Sequence, residues 1–97
     1  MLTISKGRLL GILARAAGVL DEAAEHFEAA LAFSRGVYQP ELAWTCCDYA
    51  DLLLDRDSEG DHSKAISLLD ESLAISSELG MRPLMERVLS RREILKA

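Results

Sequence analysis

Residues 18–31 read Gly18-Val19-Leu20-Asp21-Glu22-Ala23-Ala24-Glu25-His26-Phe27-Glu28-Ala29-Ala30-Leu31. They return in weaker form as Gly60-Asp61-His62-Ser63-Lys64-Ala65-Ile66-Ser67-Leu68-Leu69-Asp70-Glu71-Ser72-Leu73. The offset is 42 residues, with Gly over Gly, Ala23 over Ala65, Phe27 over Leu69, Ala30 over Ser72 and Leu31 over Leu73. A period of this length marks a chain built from stacked copies of one supersecondary unit. In the first copy Ala23, Phe27, Ala30 and Leu31 recur every three to four residues, and Glu22, Glu25 and Glu28 fall outside them. That is the pattern of a one-sided amphipathic helix. In the second copy Ile66, Leu69, Leu73 and Ile75 or Ser76 form the expected inner face, with Asp70 and Glu71 outside.

Outward from these two segments the chain reads as five helices. The first spans about 4–17, with Thr3 or Ser5 as N-cap and Gly18 as its stop. The second runs over 21–35, opened by Asp21 and Glu22 at the positive helix start and ended by Gly36. The third opens at Pro40-Glu41 and reaches Leu54, Pro being well placed in a first helical turn. The polar, Gly-containing stretch 55–60 is a loop. The fourth helix ends at Leu79 before Gly80, and the fifth begins at Pro83. Connections this short force neighbouring helices antiparallel.

Composition agrees. Of 97 residues 49% are hydrophobic but only 5% aromatic, and Leu and Ala, both strong helix formers, dominate the apolar content. The expected fold is all-α, one domain over 1–97 cut from a longer protein. The net charge of −5 lacks the basic excess that nucleic-acid binding demands. The charge is unevenly spread, with +3 in residues 1–20, +3 in 81–97 and the acids between. Such ends either form solvated faces or pair with acidic neighbours in a longer chain or an oligomer.

The first helix is apolar nearly all round, through Leu9, Leu10, Ile12, Leu13, Ala14, Ala16 and Ala17. A helix of that kind is normally covered on more than one side. The expectation is packing in a homo-oligomer or against a preceding repeat, with Leu9 and Ile12 at the self-association edge. No apolar run approaches the ~18 residues of a membrane span. Met1-Leu2-Thr3-Ile4 has neither the apolar core nor the cleavage pattern of a signal peptide. Cys46 and Cys47 are adjacent and point about 100° apart on a helix, so they neither join each other nor share a metal easily. Two unpaired thiols suit a reducing, cytoplasmic setting.

The repeat resembles the tetratricopeptide repeat (TPR). Leu10-Gly11, Gly18, Ala23, Phe27 and Ala30 fit the first unit without gaps. Ala43-Trp44, Ala50, Gly60, Ala65 and Leu69 fit the second with about five extra residues in the loop at 56–59. Small residues let the helices approach and one large residue fills the space between them. The units are degenerate, since Gly7 stands where the first would carry its aromatic and Asp48 where the second would carry its Gly. The resemblance implies an α-α superhelix of two repeats plus a terminal helix, binding a protein or peptide partner. More narrowly, residues 22–31, 49–54 and 78–84 resemble the C-terminal repeats of large bacterial regulators. Those carry an ATPase module beside a cyclase or a LuxR-type DNA-binding domain, which implies signalling or transcriptional control.

By that resemblance the first helix of each pair lines the partner groove, which nominates Arg8, Ile12 and Arg15, then Leu42, Thr45, Tyr49 and Leu52. Arg8 and Arg15, seven residues apart, share a helical face and could hold an acidic peptide or a terminal carboxylate. Ile12 and Thr45 supply none of the Asn that chaperone-binding relatives place beside their cations. Trp44 reads as a packed aromatic of the repeat. His26 and His62 lack metal-ligand spacing, and the loop at 55–61 lacks the terminal bidentate Glu of a calcium site. There is no phosphate-binding Gly loop, nucleophile elbow or His-Glu metal motif, so neither catalysis nor a cofactor is expected.

Overall fold

The computed structural model describes residues 6–96. Five helices follow one another: α1 (Lys6–Ala16), α2 (Leu20–Ser34), α3 (Gln39–Arg56), α4 (Asp61–Leu79) and α5 (Arg82–Lys96). No strand occurs among the described residues. α1 packs on α2, α2 and α4 both pack on α3, and α5 packs on α4. The turns are tight enough to fold each helix back on its predecessor. At Gly80 the backbone takes φ 70°, and the Met81 N–H closes on the Ser76 carbonyl at 2.8 Å. This left-handed stop is cheap only for Gly.

The first repeat is held by one contact of unusual closeness. A methyl group built on Gly11 would lie 2.8 Å from the Phe27 ring. Phe27 is fully buried and stacks on Tyr49 of α3, with centroids 5.5 Å apart and planes 14° apart. Gly11 thus sets the spacing between α1 and α2, and Phe27 carries the contact on to α3. In the second repeat Ser72 replaces the small Ala, and its buried hydroxyl donates to the Ala43 carbonyl at 2.7 Å. Hydrogen bonding offsets the cost of burying that polar group.

One helix end and one helix face differ from the sequence reading. The caps Thr3 and Ser5 and the start at Ile4 lie outside the described residues. α3 runs on to Arg56, because that side chain is anchored to Asp61 (2.8 and 2.9 Å) and Asp21 (3.2 Å), and Asp57 takes up the left-handed cap at φ 49°. In α4 the inward face is Ala65, Leu68, Leu69, Ser72 and Ser76, whereas Ile66 is exposed. The shift turns small residues toward α3 and leaves the branched Ile66 outside.

Candidate interaction surface

Glu41, Trp44, Asp48, Asp51 and Asp55 follow one another along α3 at alternating steps of three and four residues. That spacing gathers them into a single stripe. α1 and α5 send arginines into it from either side. Arg8 donates to Asp48 at 2.7 Å and to Glu41 at 3.2 Å, and Arg15 donates to Asp55 at 2.6 Å. From α5, Arg87 reaches Asp48 at 2.9 Å and Asp51 at 2.7 Å, and Arg91 reaches Asp51 at 2.8 Å. Trp44 is half-buried with the Arg8 guanidinium 5.5 Å from its ring centroid and that of Arg87 at 5.9 Å. Both lie within cation–π range.

Among the described residues four guanidiniums meet four carboxylates, so this part of the α1–α3–α5 face is balanced in charge. The basic ends of the sequence therefore find acidic neighbours inside the same chain. Glu41, Asp48 and Asp51 are buried, and ion pairs so placed roughly offset their own desolvation cost. Their contribution is to fix how α1 and α5 sit against α3. Removing one member leaves a buried charge without its partner, and that is costly. The Arg15–Asp55 pair is more open, with side chains 37% and 47% exposed. Beside it a shallow cavity of about 330 Å³ is lined by Ile12, Arg15, Ala16 and Asp55.

Of the nominated groove residues, Arg8, Ile12 and Arg15 lie on or beside this face. Thr45, Tyr49, Leu52 and Leu42 do not. They sit one residue further along α3, about 100° round the helix, and are at most 4% exposed. On α3 the side chains that meet α1 and α5 on this face are those of the stripe one residue earlier. Tyr49 stacks on Phe27, and its hydroxyl donates to Glu28 at 2.6 Å. Burial and then that hydrogen bond push the phenol pKa up. Lys64 also bonds Glu28 and lies 5.1 Å from the Tyr49 ring centroid, so Tyr49 ties α2, α3 and α4 together. Trp44, read from the sequence as a packed aromatic rather than an interface hot spot, and the acids around it are not among the nominated residues. Their signal was the alternating spacing of Glu41, Asp48, Asp51 and Asp55, which is plain in the sequence.

Leu9 is exposed, whereas Ile12 is half-buried and packed against the core. Cys46 and Cys47 are fully buried, and burial pushes their thiols up to about 12 and about 11. At neutral pH neither is a nucleophile. Among the described residues no group of three or more His, Cys, Asp or Glu is placed to hold a metal ion, and no helix is long and apolar enough to cross a membrane.

Antiparallel helix pairs stacked through small residues define an α-α repeat scaffold. The tetratricopeptide-repeat family model matches residues 3–78, and the chain belongs to that family. Tetratricopeptide repeats generally mediate protein–protein interaction, and as a scaffold without a catalytic centre of its own the family is compatible with a non-enzymatic role. Comparison with curated proteins and with solved structures gives no match.

Proposed function

We propose that the chain is an interaction module whose partner, a protein segment or peptide, lies along the α1–α3–α5 face. The observation that carries this reading is the half-buried Trp44 between two guanidiniums, a few turns from the open Arg15–Asp55 pair. Trp and Arg are the residue types that most often dominate binding energy. Because the face is balanced in charge, a partner gains little from net charge. It binds by exchanging its own carboxylate for Asp55 on Arg15 and placing an apolar side chain in the cavity beside Ile12 and Ala16. Arg8, already held by two acids, orients Trp44 instead. No nucleic acid, membrane or cofactor is called for.

Selection of a random displayed peptide library on the immobilised chain tests this. Binders should be acidic and lose at least tenfold in affinity with Arg15→Ala, and they should tolerate a charge on the far side of α1, such as Leu13→Glu. Binders indifferent to Arg15→Ala place the site elsewhere. Tyr49→Ala is unsuitable, since it tests the fold and not the face.

The module's setting is inferred as a bacterial signalling or transcriptional regulator in the cytoplasm, supported by the regulator-like phrasing of residues 22–31, 49–54 and 78–84 and by two reduced, buried cysteines. A second reading, self-association through α1, is favoured by the exposure of Leu9 and Leu13.

A further inference from the structure

Helical geometry places Lys6, Leu9, Leu13 and Ala16 on one side of α1, away from the buried Gly11, with Ala17 just past its end. All five are exposed, with Leu9 at 42% and Leu13 at 56%. The alignment of the two repeats that sets Gly11 over Asp48 sets Leu9, Leu13 and Ala16 over Cys46, Ala50 and Leu53. Those three are 0% exposed. The face that α3 buries completely, α1 presents to solvent. α5 also exposes Leu89 and Ile94, but interspersed with Glu86, Ser90 and Glu93, whereas the α1 face carries no acid.

We propose that α1 pairs through this face with α1 of a second copy, the two helices running antiparallel about a two-fold axis. The inference rests on the self-association reading above and gives it a partner and an orientation. Size and charge choose that orientation. Antiparallel, with Leu13 near the axis, Leu9 of one copy packs against the partner's Ala16, large against small, and the contact fills. Parallel, Leu9 meets Leu9, Ala16 faces Ala16 across a gap, and the two Lys6 charges coincide. Among the described residues Lys6 is the only charge on the face, and α1 contains no acid. The antiparallel arrangement carries each Lys6 to the C-terminal end of the partner's α1, where carbonyl dipoles favour a cation. A helix of 11 residues offers a face about 16 Å long, so the pairing is small and depends on concentration.

Sedimentation equilibrium of the full chain over about a hundredfold range of concentration tests it. The average mass should rise towards that of a dimer, remain monomeric in Leu13→Glu with unchanged helicity by circular dichroism, and rise as before in Ile94→Glu on α5. Orientation is read with a short bis-maleimide. A mixture of Leu9→Cys and Ala16→Cys chains should cross-link, and each variant alone should not; the native thiols are buried and do not compete. A monomer at every concentration overturns both the pairing and the self-association reading. A dimer that survives Leu13→Glu leaves self-association standing but overturns the α1 face. Cross-linking of Leu9→Cys with itself overturns the antiparallel geometry. The peptide-binding reading shares Ala16 with this surface but is tested separately at Arg15, which faces away from it.

Discussion

Gly11→Ala measures how tightly α1 is seated on the rest of the fold. The added methyl would lie 2.8 Å from two carbons of the Phe27 ring and 2.9 Å from a third. The ring has little room to retreat, being fully buried and stacked on Tyr49, whose own hydroxyl is fixed to Glu28. Overpacking of this sort costs about 1–3 kcal/mol. Against it stands the better helix propensity of Ala over Gly, about 0.8–1 kcal/mol. The balance is a loss on the order of 1 kcal/mol, which for a domain of this size lowers the melting temperature by about 4–8 °C. Urea unfolding followed by circular dichroism should show an earlier midpoint with an unchanged slope. In a Phe27→Leu background the ring carbons are gone, so the same Gly11→Ala change should be neutral or mildly stabilising. The two substitutions would then couple by about 1 kcal/mol in a double-mutant cycle. If Gly11→Ala instead stabilises the native chain by the propensity difference alone, α1 is not held against Phe27 and the account of the first repeat fails.

Acid should release the α3–α4 turn. The Arg56 fork, bonded to both oxygens of Asp61 at 2.8 and 2.9 Å, outweighs burial and holds that carboxyl below its usual range. A depressed folded pKa stabilises the fold above the unfolded value of about 3.9, and this contribution is lost as pH falls through the folded value. Asp61→Asn should therefore cost about 1–2 kcal/mol at pH 7, and its urea midpoint should converge on that of the native chain below about pH 4. The thiols supply a further check. With Cys46 and Cys47 buried and their pKa values pushed up to about 12 and 11, a chromogenic disulfide reagent should titrate both only when the chain unfolds, at a rate that rises with urea. Fast labelling of either thiol in the native state would contradict the packing of α3.

The helices were legible because local signals agreed. Gly stops after α1, α2 and α4, Pro at the start of α3 and one-sided apolar spacing in α2 all point to the same boundaries. The end of α3 was not, because what extends it to Arg56 is a set of bonds to Asp61 and Asp21, and Asp21 lies 35 residues away. Ile66 was misplaced for a related reason. A large branched residue looks like core, but α4 meets α3 through Ala65 and the hydrogen-bonded Ser72, and closeness there requires small side chains.

The two faces of α3 show why hydropathy alone does not orient this helix. Apolar periodicity finds the face of a helix that packs on oil, and in α3 that face is Leu42, Thr45, Tyr49 and Leu52. The opposite signal, a stripe of Glu and Asp, normally means water. Here the stripe is covered instead by arginines from α1 and α5, so Asp48 and Asp51 are only 7% and 5% exposed. A helix with both faces buried, one by carbon and one by ion pairs, cannot be oriented from hydropathy alone. It can be oriented from charge, since acids at three-four spacing in the middle, with arginines seven apart in α1 and four apart in α5, are what a shared face requires. The consequence reaches the function. Open cations would bind an acidic partner by simple attraction, whereas paired ones must exchange, and exchange is cheapest where the pair is most exposed. On the proposed reading, that favours Arg15 with Asp55 over Arg8 with Asp48 as the point where a partner enters, at the C-terminal end of α1.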